Sequence, residues 1–174
     1  VNARMPTPEG VIRNQAATPL ILASLAVALC LNLLPWEGMG LLVRPDFLLL
    51  VLIYWCMEEP RRAGASTAFF AGILMDIAEG SLTGQNALVY SLSAYLALTF
   101  RLRVLSFNWV LQALHVFPIL FLGQAVFALQ QLIIDTPFPG AAYFFRSILG
   151  AIIWPIICML LEIPRRRSLR NKIA

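Results

Sequence analysis

Two uncharged stretches lie almost back to back in this chain, and they leave few folds open. Residues 47–57 (FLLLVLIYWCM) and 63–75 (AGASTAFFAGILM) hold no charged side chain. A charged knot, Glu58-Glu59-Pro60-Arg61-Arg62, separates them, and Arg44, Asp46, Asp76 and Glu79 stand at their far ends. Apolar segments with charges confined to the rims are what hydrocarbon demands of a chain, because an intramembrane charge is costly. The rest of the sequence agrees. Of 174 residues 60% are hydrophobic and 13% charged, against about 45–50% and about 25% in soluble domains, and the mean hydropathy is +0.79. This much apolar surface cannot be hidden in a core of that size, so the pattern predicts an all-α integral membrane protein.

Six apolar segments can be marked out, predicting about six transmembrane helices in one bundle. Residues 1–17 are polar and contain Pro6, Pro8 and Gly10, a tail ahead of a 18–163 transmembrane domain. Thr18-Pro19 is a good helix start, with a hydroxyl cap followed by proline in the first turn, and segment one runs over 18–34. It is read as retained rather than cleaved, since no small-x-small site follows it. Segment two is short. Eleven residues from 47 to 57 reach roughly 16 Å, against a hydrocarbon core of about 30 Å. A full crossing requires extending the helix back to about Gly38, which would draw Arg44-Pro45-Asp46 into membrane depth. Segment three (63–78) is also short and ends in the turn Glu79 to Gly84. Segment four covers 85–100. Segment five (107–134) is the longest and holds Gln112, His115, Gln124, Gln130 and Gln131, with a kink expected at Pro118. Segment six covers 141–163, and a basic tail fills 164–174.

The arginines set the topology. With six spans, the N-terminal tail, the 2–3 loop, the 4–5 loop and the C-terminal tail fall on one side. They hold 11 of the 13 positive residues, leaving only Arg44 and Arg146 opposite. The positive-inside rule puts both termini in the cytoplasm. A re-entrant hairpin of segments two and three keeps the same parity. Its tip would carry the Glu58–Arg62 knot into lipid at about 2.5–3.5 kcal/mol per charge, which favours spanning helices.

No catalytic constellation accompanies these segments. There is no G-x-S-x-G, H-E-x-x-H, P-loop or G-x-G-x-x-G pattern, so no catalytic residue is assigned and the chain reads as a non-enzyme. One histidine and three scattered cysteines (Cys30, Cys56, Cys158) give no metal-ligand spacing, and no cofactor is expected. The basic balance reads as topology rather than nucleic-acid binding, with the tail arginines against anionic membrane lipids.

Two helix faces carry more information. Gly64, Ala68, Gly72 and Asp76 recur every four residues, a spacing that lets helices approach closely in lipid, and that face is a packing or partner-binding surface. Ala87, Ser91 and Ala94 form a matching stripe on segment four. Asp76 admits two readings, a functional intramembrane carboxylate or a cap at a helix end. Arg44 and Asp46 pair locally, bind a headgroup, or sit in a solvated loop. Asp76, Gln112, His115 and Gln124 are the residues of a candidate cavity, with interhelical hydrogen bonding as the plainer role for the last three.

The stretch from Arg44 to Leu96 resembles the MreD family, the rod shape-determining membrane proteins of bacteria. The resemblance rests on Pro45 leading a segment that ends in Tyr54-Trp55, on Pro60-Arg61, on an aromatic-x-x-Gly-x-x-x-Asp pattern (Phe69/Phe70, Gly72, Asp76), and on a turn of the Leu-Gly-x-x-Ala-Leu kind. That turn is Leu82-Thr83-Gly84-Gln85-Asn86-Ala87-Leu88 here, with Thr83 inserted. The resemblance implies a non-enzymatic scaffold in the bacterial inner (cytoplasmic) membrane that organises lateral peptidoglycan synthesis. It implies MreC as partner, and through MreC the MreB filament, RodA and the elongation penicillin-binding transpeptidase. A weaker likeness, to the substrate-binding subunits of vitamin transporters, implies the alternative of a membrane protein that binds a small molecule or lipid-linked precursor.

Overall fold

The computed structural model describes residues 18–35, 38, 44–80, 84–134 and 141–170. They form six α-helices: α1 (Thr18–Asn32), α2 (Phe47–Glu58), α3 (Ala65–Glu79), α4 (Gln85–Leu105), α5 (Trp109–Ile133) and α6 (Phe145–Arg170). A short 3-10 turn, Ala141–Phe144, leads into α6. The six helices follow the six apolar segments in order. By length and composition three can cross a bilayer: α4, α5 and the Phe145–Ile163 part of α6.

Helix α2 departs most from expectation. It does not reach back towards Gly38. Proline disfavours helical geometry in the residue before it, so Pro45 turns Arg44 out of any helix. Asp46 then takes the N-cap, with extended backbone and its side chain accepting from the Leu49 N–H. What remains is 12 residues, about 18 Å. Every residue from Leu48 to Met57 is buried. A helix that is apolar all round belongs in an interior, and α2 fills that place, packed against α1, α4 and α6. Its neighbours solve the problem of its length by keeping it away from lipid.

Around α2 the other helices pack in sequence: α3 on α4, α4 on α5, α5 on α6. α5 passes through Pro118 as one helix. At one end of the bundle, Arg62 donates to the Thr18 hydroxyl at 2.9 Å, and Arg101 donates to the Met57 carbonyl, placing a cation at the negative end of α2. Trp55, fully buried, donates its indole N–H to Ser24 at 2.8 Å and ties α2 to α1. α1 starts and α6 finishes at this end. The opposite end gathers the C-termini of α1 and α3 with the N-termini of α2, α4 and α6.

Candidate functional site

At that opposite end the chain concentrates its buried polar chemistry. The centre is Arg44-Pro45-Asp46, the segment that stops α2 from extending. Asp46 Oδ1 accepts from Asn32 Nδ2 at 2.7 Å and from Leu49 N at 3.0 Å, and Oδ2 accepts from the Tyr90 hydroxyl at 2.6 Å. Asn32 is the last residue of α1, and its Oδ1 accepts the Phe47 N–H at 2.9 Å. One carboxylate thus joins α1, α2 and α4. Arg44 is 7% exposed. Its guanidinium donates to the Asn32 carbonyl and pairs with Glu79 at 3.2 Å, and its own carbonyl accepts from Arg146 Nε at 2.6 Å. Arg146 also lies over the Tyr143 ring, 5.1 Å from its centre. Buried ionic groups hold only when paired and hydrogen-bonded, and these hold one another.

A second arrangement sits beside it. Asp76 is fully buried. Its carboxylate accepts backbone N–H bonds from Gly84 at 2.8 Å, Asn86 at 2.9 Å and Ala87 at 3.4 Å. These are orphan donors of the first turn of α4, where a negative charge also meets the positive helix terminus. Asp76 therefore caps the next helix from within the preceding one. Gly84 makes this possible, because its φ of +113° lies where side chains are strained. One turn before Asp76, an added Cβ on Gly72 would lie 2.4 Å from Ala87 Cα. Glu79, half-exposed, accepts from Asn86 Nδ2 at 3.3 Å and links the cap to Arg44.

The sequence-derived face divides accordingly. Ala68, Gly72 and Asp76 are buried, and Gly72 meets α4 at Ala87. Gly64 lies just before α3, as its N-cap residue. The four candidate cavity residues are not brought together. Asp76 is consumed by the α4 cap. Gln112, near the other end, donates to the Phe107 carbonyl at 3.0 Å and faces Cys158. His115 stacks on Phe107, with ring centres 4.8 Å apart. Gln124 accepts from Ser147 at 2.5 Å. Gln124 does line a small space with Asp46, Asn86, Tyr143 and Arg146, of about 30 Å³, room for about one or two waters. Among the described residues no group of three or more His, Cys, Asp or Glu is placed to hold a metal.

The joint between α3 and α4 carries an aromatic-x-x-Gly-x-x-x-Asp pattern in one helix and a Gly-x-x-Ala turn into the next. A family model, rod shape-determining protein MreD, matches residues 14–163. The chain belongs to the MreD family. Among curated proteins, the rod shape-determining protein MreD of Haemophilus influenzae is 29% identical over 151 residues, covering 84% of this chain and 91% of that protein. No solved structure matches the chain.

The residues on which the MreD resemblance rests occupy definite places. Pro45 is buried beside Asp46, Tyr54 and Trp55 are buried with their rings edge-to-face, and Ala87 is buried under Gly72. Pro60 and Arg61 lie in the turn after α2, with Arg61 exposed, and Leu88 is half-exposed on α4. The inserted Thr83 lies outside the described residues. Sequence reasoning missed Asn32, Tyr90, Asn86 and Tyr143 as members of the site. Asn32 carried a readable signal, a lone amide closing an otherwise apolar run. Tyr90 carried none, since a tyrosine in an apolar helix shows its hydroxyl's partner only once the fold is known.

Proposed function

We propose that this MreD-family protein is a non-enzymatic scaffold of the bacterial cell-elongation complex. In this reading it sits in the inner membrane with both termini cytoplasmic and maintains rod shape by organising lateral peptidoglycan synthesis. The observation that carries the reading is where the intramembrane charges go. Arg44, Asp46, Asp76, Glu79 and Arg146 all engage other groups of the same chain, which is what a rigid packing module needs and what a transport or catalytic site would leave open. The arginine bias supports six crossings with the residue 1–17 and 164–174 tails inside. α2 crosses as a short helix shielded by its neighbours.

The partners are MreC and, through it, MreB, RodA and the elongation transpeptidase, reached by helix–helix contact. The inward face of α3 is occupied by α4, so the contact falls on the outward face, where Phe69, Phe70, Leu74 and Ile77 are exposed. A photo-cross-linker at Phe70 should capture MreC in cells, and depletion should turn rods into spheres. Rod-shaped cells after clean deletion, with no captured partner, would remove this reading. The small-molecule alternative needs more room than the 30 Å³ beside Gln124. A stoichiometric ligand co-purifying with the protein and lost in Gln124→Leu would revive it.

A further inference from the structure

A groove runs between α4 and α5 on the lipid-facing surface, near the bundle end where α1 begins. Leu96, Phe100 and Val104 form its α4 wall, and Pro118, Ile119 and Leu122 its α5 wall. Both sets follow helical spacing, so each is one face of its helix. The groove encloses about 420 Å³, comparable with a single acyl chain. Its rim is different in character. Arg103 and His115 line it there, with Phe107 between the helices.

The charge at the rim identifies the occupant. Arg103 is exposed, and among the described residues its guanidinium makes no ion pair or hydrogen bond. Arg101, two positions earlier, is committed to the Met57 carbonyl. The His115 ring is held by its stack on Phe107 and by Nδ1, 2.9 Å from the Leu111 carbonyl. A carbonyl only accepts, so Nδ1 carries the hydrogen and Nε2 of the neutral ring is an acceptor, which leaves the contact with an anion to Arg103. An apolar trough with an uncommitted cation at its mouth complements an amphiphile with an anionic head. A transmembrane segment of a partner would match the trough but has no general need of the arginine.

We propose that this groove binds one anionic phospholipid, its acyl chain along the α4–α5 trough and its phosphate on Arg103, with His115 beside it. The leaflet concerned is the cytoplasmic one, and that assignment alone rests on the proposed orientation. The site itself does not depend on it, nor on the scaffold reading.

The full chain, purified in detergent, can be offered an equimolar mixture of phosphatidylglycerol and phosphatidylcholine with identical acyl chains and read by native mass spectrometry. One bound lipid should persist, with phosphatidylglycerol preferred about fivefold, the scale set by one cation at a lipid surface. Arg103→Leu should bring the preference close to unity, and Arg103→Lys should restore most of it. Leu122→Trp, which fills the trough without touching the charge, should cut retention of both lipids. Arg61→Gln, removing another exposed cation, should change nothing. Equal retention of the two lipids by the native protein would overturn the proposal, as would an unchanged preference in Arg103→Leu. Undiminished retention in Leu122→Trp, accompanied by loss of a cross-linked partner helix, would give the groove to a protein instead. Reporter fusions at the termini test the orientation separately.

Discussion

The two ends of this bundle use charge in opposite ways. The end where α1 begins holds Arg61, Arg62, Arg101 and Arg103, and two of these, Arg61 and Arg103, lie exposed at the surface. The other end holds Arg44 and Arg146 with Asp46, Asp76 and Glu79, and there nearly every group holds another. At the first end, in the proposed topology, the number of cations matters, because the positive-inside bias is a count. At the second, position matters, because a buried charge is tolerable only with its partners in place. Substitutions should therefore cost stability at the second end and little at the first.

The largest effect should come from Gly72, beside the Asp76 cap. An alanine Cβ there would stand 2.4 Å from Ala87 Cα and 2.7 Å from the Asn86 carbonyl oxygen. Backbone cannot swing aside as a side chain can, so α3 and α4 must separate. Gly72→Ala should destabilise by about 3 kcal/mol, measured by denaturant unfolding in mixed micelles. Gly123, on α5, gives the comparison. Its added Cβ would meet Ser93 Oγ at 3.1 Å and Val89 Cγ1 at 3.2 Å, both movable, and Gly123→Ala should cost about 1 kcal/mol or less. Equal effects would mean that the α3–α4 joint is looser than its geometry.

Asp46→Ala comes next. It removes the acceptor shared by Asn32, Leu49 and Tyr90, and should cost about 2–3 kcal/mol. Asp46→Asn keeps one acceptor and should cost less. Asp76→Ala strips the α4 N-terminus of its cap and should cost about 2 kcal/mol, the upper range for such caps. Arg146→Gln loses the bond to the Arg44 carbonyl and the stack on Tyr143, and should cost about 1 kcal/mol.

Much of this was readable before the fold was known, for identifiable reasons. The six helices follow from apolar runs broken by charge and proline, signals that need no tertiary information. The approach of α3 to α4 follows from Ala68, Gly72 and Asp76, three members of the four-residue recurrence, while the fourth, Gly64, falls just outside α3. At the start of α2, local chemistry outweighs the length that a full crossing would require. Pro45 and the Asp46 cap stop the helix at Phe47, and burial by α1, α4 and α6 removes the need for length. The cavity expectation failed for a different reason. Polar residues on separate helices carry no mark of which neighbour they face, so Asp76, Gln112, His115 and Gln124 looked alike in sequence and found four different settings.

The smallest expected effect is also the one that most sharply separates the two ends. Arg61 and Arg146 carry the same charge on the same side chain. Arg61 is exposed in the turn after α2, and an exposed cation loses little when neutralised because water and salt already screen it. Arg61→Gln should change unfolding stability by less than about 0.5 kcal/mol. In the proposed topology its influence lies in the count, so combining it with Arg62→Gln, Arg101→Gln and Arg103→Gln should erode the bias on which the proposed orientation rests. A mixture of orientations should then appear by terminal reporter fusion. The stability lost in that quadruple variant should trace to the hydrogen bonds that Arg62 and Arg101 donate to the Thr18 hydroxyl and the Met57 carbonyl. A single Arg61→Gln that unfolds the bundle as readily as Arg146→Gln would erase the contrast, and would place a structural role in a turn where the packing assigns none.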